Sequence, residues 1–158
     1  NKHSIGIEIS NPGHDYNYSN FTFKQIKSII KLSKFLIKKY KINSKQILGH
    51  SDISPDRKKD PGEKFPWHFL ASKNIGYWHK LNKKKIITER NKEISRKDKI
   101  VFIKNLQKIG YERSINKKNA NYIQNITTAF QRRFRQELVN GIIDSECLLI
   151  SKNLLKIK

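Results

Sequence analysis

Residues 47–67, ILGHSDISPDRKKDPGEKFPW, hold three of the chain's four prolines and two of its seven glycines. Proline fixes φ and removes a backbone donor, so this stretch is predicted as a polar, punctuated loop. It follows a short apolar strand at 46–49 and carries a histidine, a lysine and an aspartate: His50, Lys58 and Asp60. Imidazole and carboxylate together suit zinc. A loop at a strand end lets two ligands ten positions apart, His50 and Asp60, fold back onto one ion. Alone, such a pair is a weak signal, because loop residues of these types ordinarily just hydrogen-bond.

Upstream, SIGIEI at 4–9 alternates and reads as a strand with Ile5, Ile7 and Ile9 on one face and Glu8 on the other. Asn11, Pro12 and Gly13 break it, and a polar loop runs to Asn20. Thr22 followed by Gln25 is a capping-box pattern. The helix beyond it carries Ile26, Ile29, Ile30, Leu36, Ile37 and Tyr40 on one face with lysines between them, and Asn43 and Ser44 end it. Phe65, Trp67, Phe69, Leu70, Ile75 and Tyr77 should return the chain to the core, with a helical turn after Pro66.

Beyond Trp78 the composition shifts. Residues 80–94 are charge-rich and read as a linker that could pack over the first unit. Ser95 with Asp98 can start a helix bearing Val101, Phe102, Ile103, Leu106 and Ile109, with Gly110 as its stop. A second helix is predicted from about Asn119, with Ile123, Ile126, Phe130 and Phe134 on one stripe. Gly141 and Asp144 turn the chain into a last helix holding Leu148, Leu149 and Leu154. The expected organisation is residues 1–79 as one unit, 80–94 as a linker and 95–158 as a small helical domain.

The 34 basic against 13 acidic side chains give a formal charge of +21, which draws a protein toward nucleic acid, anionic lipid or acidic wall polymers. The lysines are spread along the chain, however. Abundant Lys, Ile and Asn with scarce Ala, Gly and Pro is what an A/T-rich genome produces without selection for binding. No aromatic-and-basic recognition motif accompanies the charge, so nucleic acid is not an expected partner. The single cysteine, Cys147, excludes an internal disulfide and sits among apolar neighbours as a small buried hydrophobe. No run of about 18 apolar residues marks a transmembrane helix, and no signal peptide is visible. An opening on Asn1 rather than Met leads to the expectation that the true N-terminus lies upstream.

Lys58, two residues before Asp60, could bring a cation to the same cleft, and Glu8 on an adjacent strand could shuttle protons. These are the parts for amide hydrolysis: a metal-polarised water, a general base and positive charge for an oxyanion. SIGIEISN at 4–11, the capped helix, and G-H-x-D-I, R-K-x-D-P-G and F-P-W in that order resemble the zinc-dependent N-acetylmuramoyl-L-alanine amidases of the type-2 family, relatives of the peptidoglycan recognition proteins. TTAFQRRFR at 127–135 and NGIIDSEC at 140–147 are similar to the helical peptidoglycan-binding module that follows the catalytic domain in envelope members. The resemblance implies an α/β fold, a mixed sheet flanked by helices and truncated at its N-terminus, plus a small three-helix domain. It implies one Zn2+ held by His50 and Asp60, with Glu8 as general base and Lys58 stabilising the tetrahedral intermediate. The implied partner is peptidoglycan or a muropeptide, cleaved between N-acetylmuramic acid and L-alanine, in the periplasm or alternatively the cytoplasm. The loop at 11–20 would flank the site.

The family has a third ligand, a histidine on a strand upstream of the glutamate, and this chain opens only seven residues before Glu8. His3 and His14 are candidate stand-ins. His68 and His79 lie beside aromatics and read as packing or surface residues, and Arg57 and Lys59 as a solvated basic loop. The alternative function is a catalytically inactive peptidoglycan-binding remnant lacking the first zinc histidine.

Overall fold

The computed structural model describes residues 3–111 and 121–157, and several of its helices begin where a side chain satisfies one of the first free N–H groups. Helix α1 spans Phe23–Tyr40. The Thr22 hydroxyl accepts from the Gln25 N–H at 3.3 Å while the Gln25 side chain accepts from the Thr22 N–H at 2.8 Å, the reciprocal pair read from the sequence. Lys41 closes the helix in the left-handed region. Short helices follow at His50–Ile53 (α2), Trp67–Ala71 (α3) and Lys83–Ile87 (α4).

Three longer helices complete the chain: α5, Arg96–Ile109; α6, Tyr122–Phe134; and α7, Ser145–Leu154. Ser95 caps α5 through the Asp98 N–H at 3.1 Å, and Gly110 ends it with φ +120°. Asn119, the expected start of α6, lies outside the described residues. Asp144 caps α7 through the Cys147 N–H at 2.9 Å. The Gln131 side chain accepts from the N–H groups of Asn140 and Gly141 and donates to the Ile142 carbonyl, so one buried amide shapes the α6–α7 turn.

The described residues contain no strand, which overturns the expected α/β architecture with its mixed sheet. Alternation says which way side chains point, but a strand exists only when its N–H and C=O groups pair with a neighbour. Residues 4–9 make no backbone pair with another described segment, Ile5 and Ile7 are 51% and 39% exposed, and Ile9 packs on the core. The second expected strand, at 46–49, is also absent. Ser44–Gln46 forms a 3-10 turn because the Asn43 side chain accepts from the Lys45 N–H while the Gln46 side chain accepts from the Asn43 N–H. Such local side-chain bonds compete directly with a sheet ladder. His50 therefore opens a helical turn instead of ending a strand.

Two apolar clusters divide the molecule. The first joins Ile26 and Ile29 of α1 to Phe65, Trp67, Leu70 and Ile75. The second is denser: Phe102, Leu106, Ile126, Ala129, Phe130, Cys147 and Ile150 are fully buried among α5, α6 and α7. The charge-rich stretch 80–94 contains α4, whose Ile86 is buried in this second cluster, and Arg90 clamps Glu146 of α7 through bonds of 2.7 and 2.8 Å. Trp78 packs against both clusters and marks the seam. Burial pushes the Cys147 thiol up to about 12, in keeping with a packing role. Among the described residues no helix is long and apolar enough to cross a membrane.

Candidate metal site

The loop after α1 is drawn back on itself by backbone contacts. The Gly49 N–H donates to Asp52 Oδ2 at 2.8 Å, starting α2, and the Ser51 N–H donates to the Asp60 carbonyl at 2.9 Å. Position 49 has no room for a side chain: a Cβ there would lie 2.8 Å from Pro61 Cδ and 3.2 Å from the Trp67 ring. Glycine thus lets the two ends of the loop close. The consequence is the meeting of His50 and Asp60, whose Nδ1 and Oδ2 atoms stand 3.1 Å apart with the side chains 43% and 61% exposed.

That spacing can be compared with what zinc requires. Two ligand atoms at about 2.1 Å from one tetrahedral ion lie about 3.4 Å apart. The pair matches zinc in donor type, separation and access to solvent. Among the described residues, however, no group of three or more His, Cys, Asp or Glu side chains converges. A catalytic zinc takes three protein ligands and water, and such a set would need one ligand beyond this pair.

The other expected site residues are placed differently. Glu8 is exposed on the N-terminal segment and makes no hydrogen bond or ion pair with His50, Asp60 or Lys58 among the described residues. Lys58 donates its backbone N–H to the Ser54 carbonyl, which turns the loop, and lies along a groove that does not include His50 or Asp60. Of its neighbours, Lys59 pairs with Asp15 at 3.1 Å and Arg57 donates to the Ser54 hydroxyl at 3.2 Å. In the loop at 11–20, Asn11 bridges its own turn, accepting from the Gly13 N–H and donating to the Ser19 carbonyl.

Neither candidate stand-in histidine joins the pair. His3 is exposed, and His14 Nε2 contacts Glu63 at 3.0 Å while its ring packs on Tyr18 at 4.4 Å. Tyr18 in turn donates to the Pro61 carbonyl at 2.7 Å and accepts from the Lys64 N–H at 2.9 Å, and burial raises its pKa to about 12. Burial alone would raise the Glu63 carboxyl, but the His14 hydrogen bond and the nearby Arg132 charge outweigh it and leave it below the usual carboxylate range. His68 and His79 flank Trp78 at ring distances of 5.3 and 5.2 Å, and burial with the neighbouring His68 lowers His79 to about 4.

Sequence reasoning missed the best-supported polar cluster, which lies directly behind the pair. Asp52 is buried; it accepts from the Gly49 N–H, from the Tyr111 hydroxyl at 2.7 Å and from Arg133. Arg133 is buried as well, donates to the Ile47 carbonyl at 2.7 Å and stacks over the Trp67 ring at 4.3 Å. Burial opposes the Arg133 charge, but Asp52 more than compensates and holds its pKa above the usual value. One signal was available: Asp52 stands in the G-H-x-D-I motif, where a carboxylate three residues after a glycine can start a helical turn.

This geometry can be set beside known proteins. Residues 1–63 match the family described as N-acetylmuramoyl-L-alanine amidase, Amidase_2. The chain is 32% identical to the N-acetylmuramoyl-L-alanine amidase AmiD of Escherichia coli K12 over 161 residues, covering 99% of this chain and 58% of that protein. It is 43% identical over 74 residues to the 1,6-anhydro-N-acetylmuramyl-L-alanine amidase AmpD of Haemophilus influenzae, covering 46% of this chain and 38% of that one. Among solved structures, E. coli AmiD in complex with anhydro-N-acetylmuramic acid-L-Ala-D-γ-Glu-L-Lys superposes with a TM-score of 0.76 at 29% identity, over 89% of this chain and 55% of that one. AMPDH3 of Pseudomonas aeruginosa follows at 0.73 and 28%, over 90% and 56%. The chain thus spans little more than half the length of the AmiD and AMPDH3 proteins that it matches along most of its own length. Residues 1–63 are thus matched by the N-acetylmuramoyl-L-alanine amidase type-2 family model, and the similarity to AmiD, itself an N-acetylmuramoyl-L-alanine amidase, extends along nearly the whole chain.

Proposed function

We propose that the protein acts in hydrolysis of the amide between N-acetylmuramic acid and L-alanine, in peptidoglycan or muropeptides. The observation that carries this reading is the convergence of His50 and Asp60 at 3.1 Å inside the stretch that matches the amidase family. The AmiD relative, whose structure is a complex with anhydro-N-acetylmuramic acid-L-Ala-D-γ-Glu-L-Lys, supports the substrate class. His50 and Asp60 hold the metal in this reading. Bound zinc supplies Lewis acidity toward water and a scissile carbonyl. Glu8 takes the proton from the attacking water, and Lys58 offers positive charge to the developing oxyanion. A peptidoglycan substrate puts the protein in the cell envelope, and a muropeptide substrate is also compatible with the cytoplasm.

A second reading, a wall-binding protein without catalysis, is favoured by one specific observation: no third His, Cys, Asp or Glu side chain joins His50 and Asp60 among the described residues, Glu8 included. One experiment separates the two. The purified chain is dialysed against zinc, its metal content measured, and muropeptides incubated with it are resolved by chromatography. Near-stoichiometric zinc that is lost in Asp60→Ala, with release of free stem peptide that is lost in Glu8→Ala while the metal stays bound, supports the amidase. No zinc uptake and no released peptide, with sedimentation on isolated sacculi retained, supports the binder.

A further inference from the structure

A groove of about 310 Å³ runs between the loop after α2 and the exposed side of α6. Its loop wall carries Arg57, Lys58 and Lys59 against a single acid, Asp56. Gln124, Thr128 and Arg132 form the other wall at four-residue spacing on α6, one turn apart on one stripe. Lys59 and Arg57 are engaged by Asp15 and Ser54. Arg132 differs from them: its side chain is 15% exposed, and its buried Nε has no hydrogen-bond partner. The nearest carboxylate, Glu63, lies 3.8 Å away and is already bonded to His14 at 3.0 Å.

Nε is shut off from solvent, which fixes the stem of the side chain, and the Nη groups of a guanidinium on the groove wall can meet a carboxylate with two parallel bonds. The Gln124 amide, two turns away, suits the carbonyl of a peptide backbone, and the Thr128 hydroxyl, which donates to the Gln124 carbonyl at 2.8 Å, keeps its lone pairs for a peptide N–H. The groove also begins within two residues of Asp60, about 7 Å of chain at most.

We propose that this seam groove binds the carboxylate-bearing stem peptide of the substrate, with Arg132 of the helical unit as the residue that selects a free carboxylate. The identity of the peptide rests on the amidase-family reading above. A γ-linked glutamate keeps its α-carboxylate free, so such a peptide carries an anion within the chain as well as at its end. The volume suits a segment of two or three residues. The helical unit then contributes to recognition in a groove next to the His50–Asp60 pair, lined on its other side by the same loop.

The test is an NMR shift titration of the full, metal-free chain with L-Ala-D-γ-Glu-L-Lys and with the same peptide amidated at its carboxyl groups. Arg132→Gln is expected to weaken binding of the free acid at least fivefold and to leave the already weak amidated peptide unchanged. Gln124→Glu, an isosteric change that adds a negative charge to the groove, should weaken the free acid similarly and guards against misfolding of the arginine variant. Lys34→Gln on α1 removes the same charge far from the groove and should stay within twofold. The proposal is overturned if Arg132→Gln binds within twofold of the parent, or if Lys34→Gln matches its loss, which would mean diffuse electrostatics. Because no turnover is measured, hydrolysis together with binding that ignores Arg132 sinks this proposal alone. Carboxylate-selective binding without hydrolysis under zinc sinks the amidase reading alone.

Discussion

The metal-loop half and the helical half of this molecule are held by different forces. In the helical half, α5, α6 and α7 surround Phe102, Leu106, Phe130 and Ile150, all fully buried, and the core is a product of helix faces packed on each other. The metal-loop half buries far less. Its α1 leaves Phe23, Leu32, Phe35 and Tyr40 exposed, and its loop is anchored through Asp52 to Arg133 and Tyr111 of the other half. The chemistry-bearing loop is thus positioned by a buried polar clamp instead of by its own core. This division suits a site whose ligands must stay near solvent while their backbone stays still.

The contrast can be broken most directly at the clamp. Arg133→Ala leaves Asp52 buried without its cation, which costs about 3–5 kcal/mol when a buried pair loses one partner. Chemical denaturation should show that loss, and amide exchange should speed up across residues 47–61 more than in α7. A cost below about 1 kcal/mol would mean that the metal loop is self-supporting, as an exposed pair would be.

A smaller effect is expected at the seam. Burial and the adjacent His68 hold His79 at about 4, below its ordinary value of 6.5. The unfolded chain therefore takes up a proton at that position as pH falls through 6.5, and the folded chain does so only near 4. Stability from this group is complete above pH 6.5, declines between about 6.5 and 4, and levels off below. Thermal melts across that range should slope downward toward acid, and His79→Gln should flatten the slope. An unchanged slope in the variant would assign the decline to other groups.

The smallest stability effect belongs to the candidate ligands themselves. His50 and Asp60 are 43% and 61% exposed, and pairs of that kind contribute about 0–1 kcal/mol. His50→Ala should melt within that margin of the parent without metal, yet lose any zinc-dependent rise in melting temperature. A large metal-free loss would make His50 part of the scaffold and redraw the boundary between the two halves.

Much of the local structure was legible because it depends on near neighbours. Thr22 with Gln25, Ser95 with Asp98, and Asp144 before α7 are caps whose partners lie within three residues. The meeting of His50 and Asp60 could also be anticipated, because a loop with prolines at 55 and 61 returns on itself within ten residues. The sheet was the main error. Alternation at 4–9 carries no information about a neighbour to pair with, and the strand expected at 46–49 is absent, its first residue closing a 3-10 turn that the Asn43 and Gln46 side chains hold. The two candidate stand-ins for a third ligand stay apart from the pair, since His14 is engaged by Glu63 and His3 is exposed.

By itself the amino-acid sequence determined where helices start, which faces are apolar and the order of ligand-type residues in the loop. These follow from hydrogen bonds and side-chain spacing within a few residues. Only the tertiary structure decided that Asp52 meets Arg133 across 81 positions, that residues 4–9 find no backbone partner among the described residues, and that Arg132 faces Lys58 across a groove. Contacts between distant segments depend on how whole helices pack, and no local pattern encodes that.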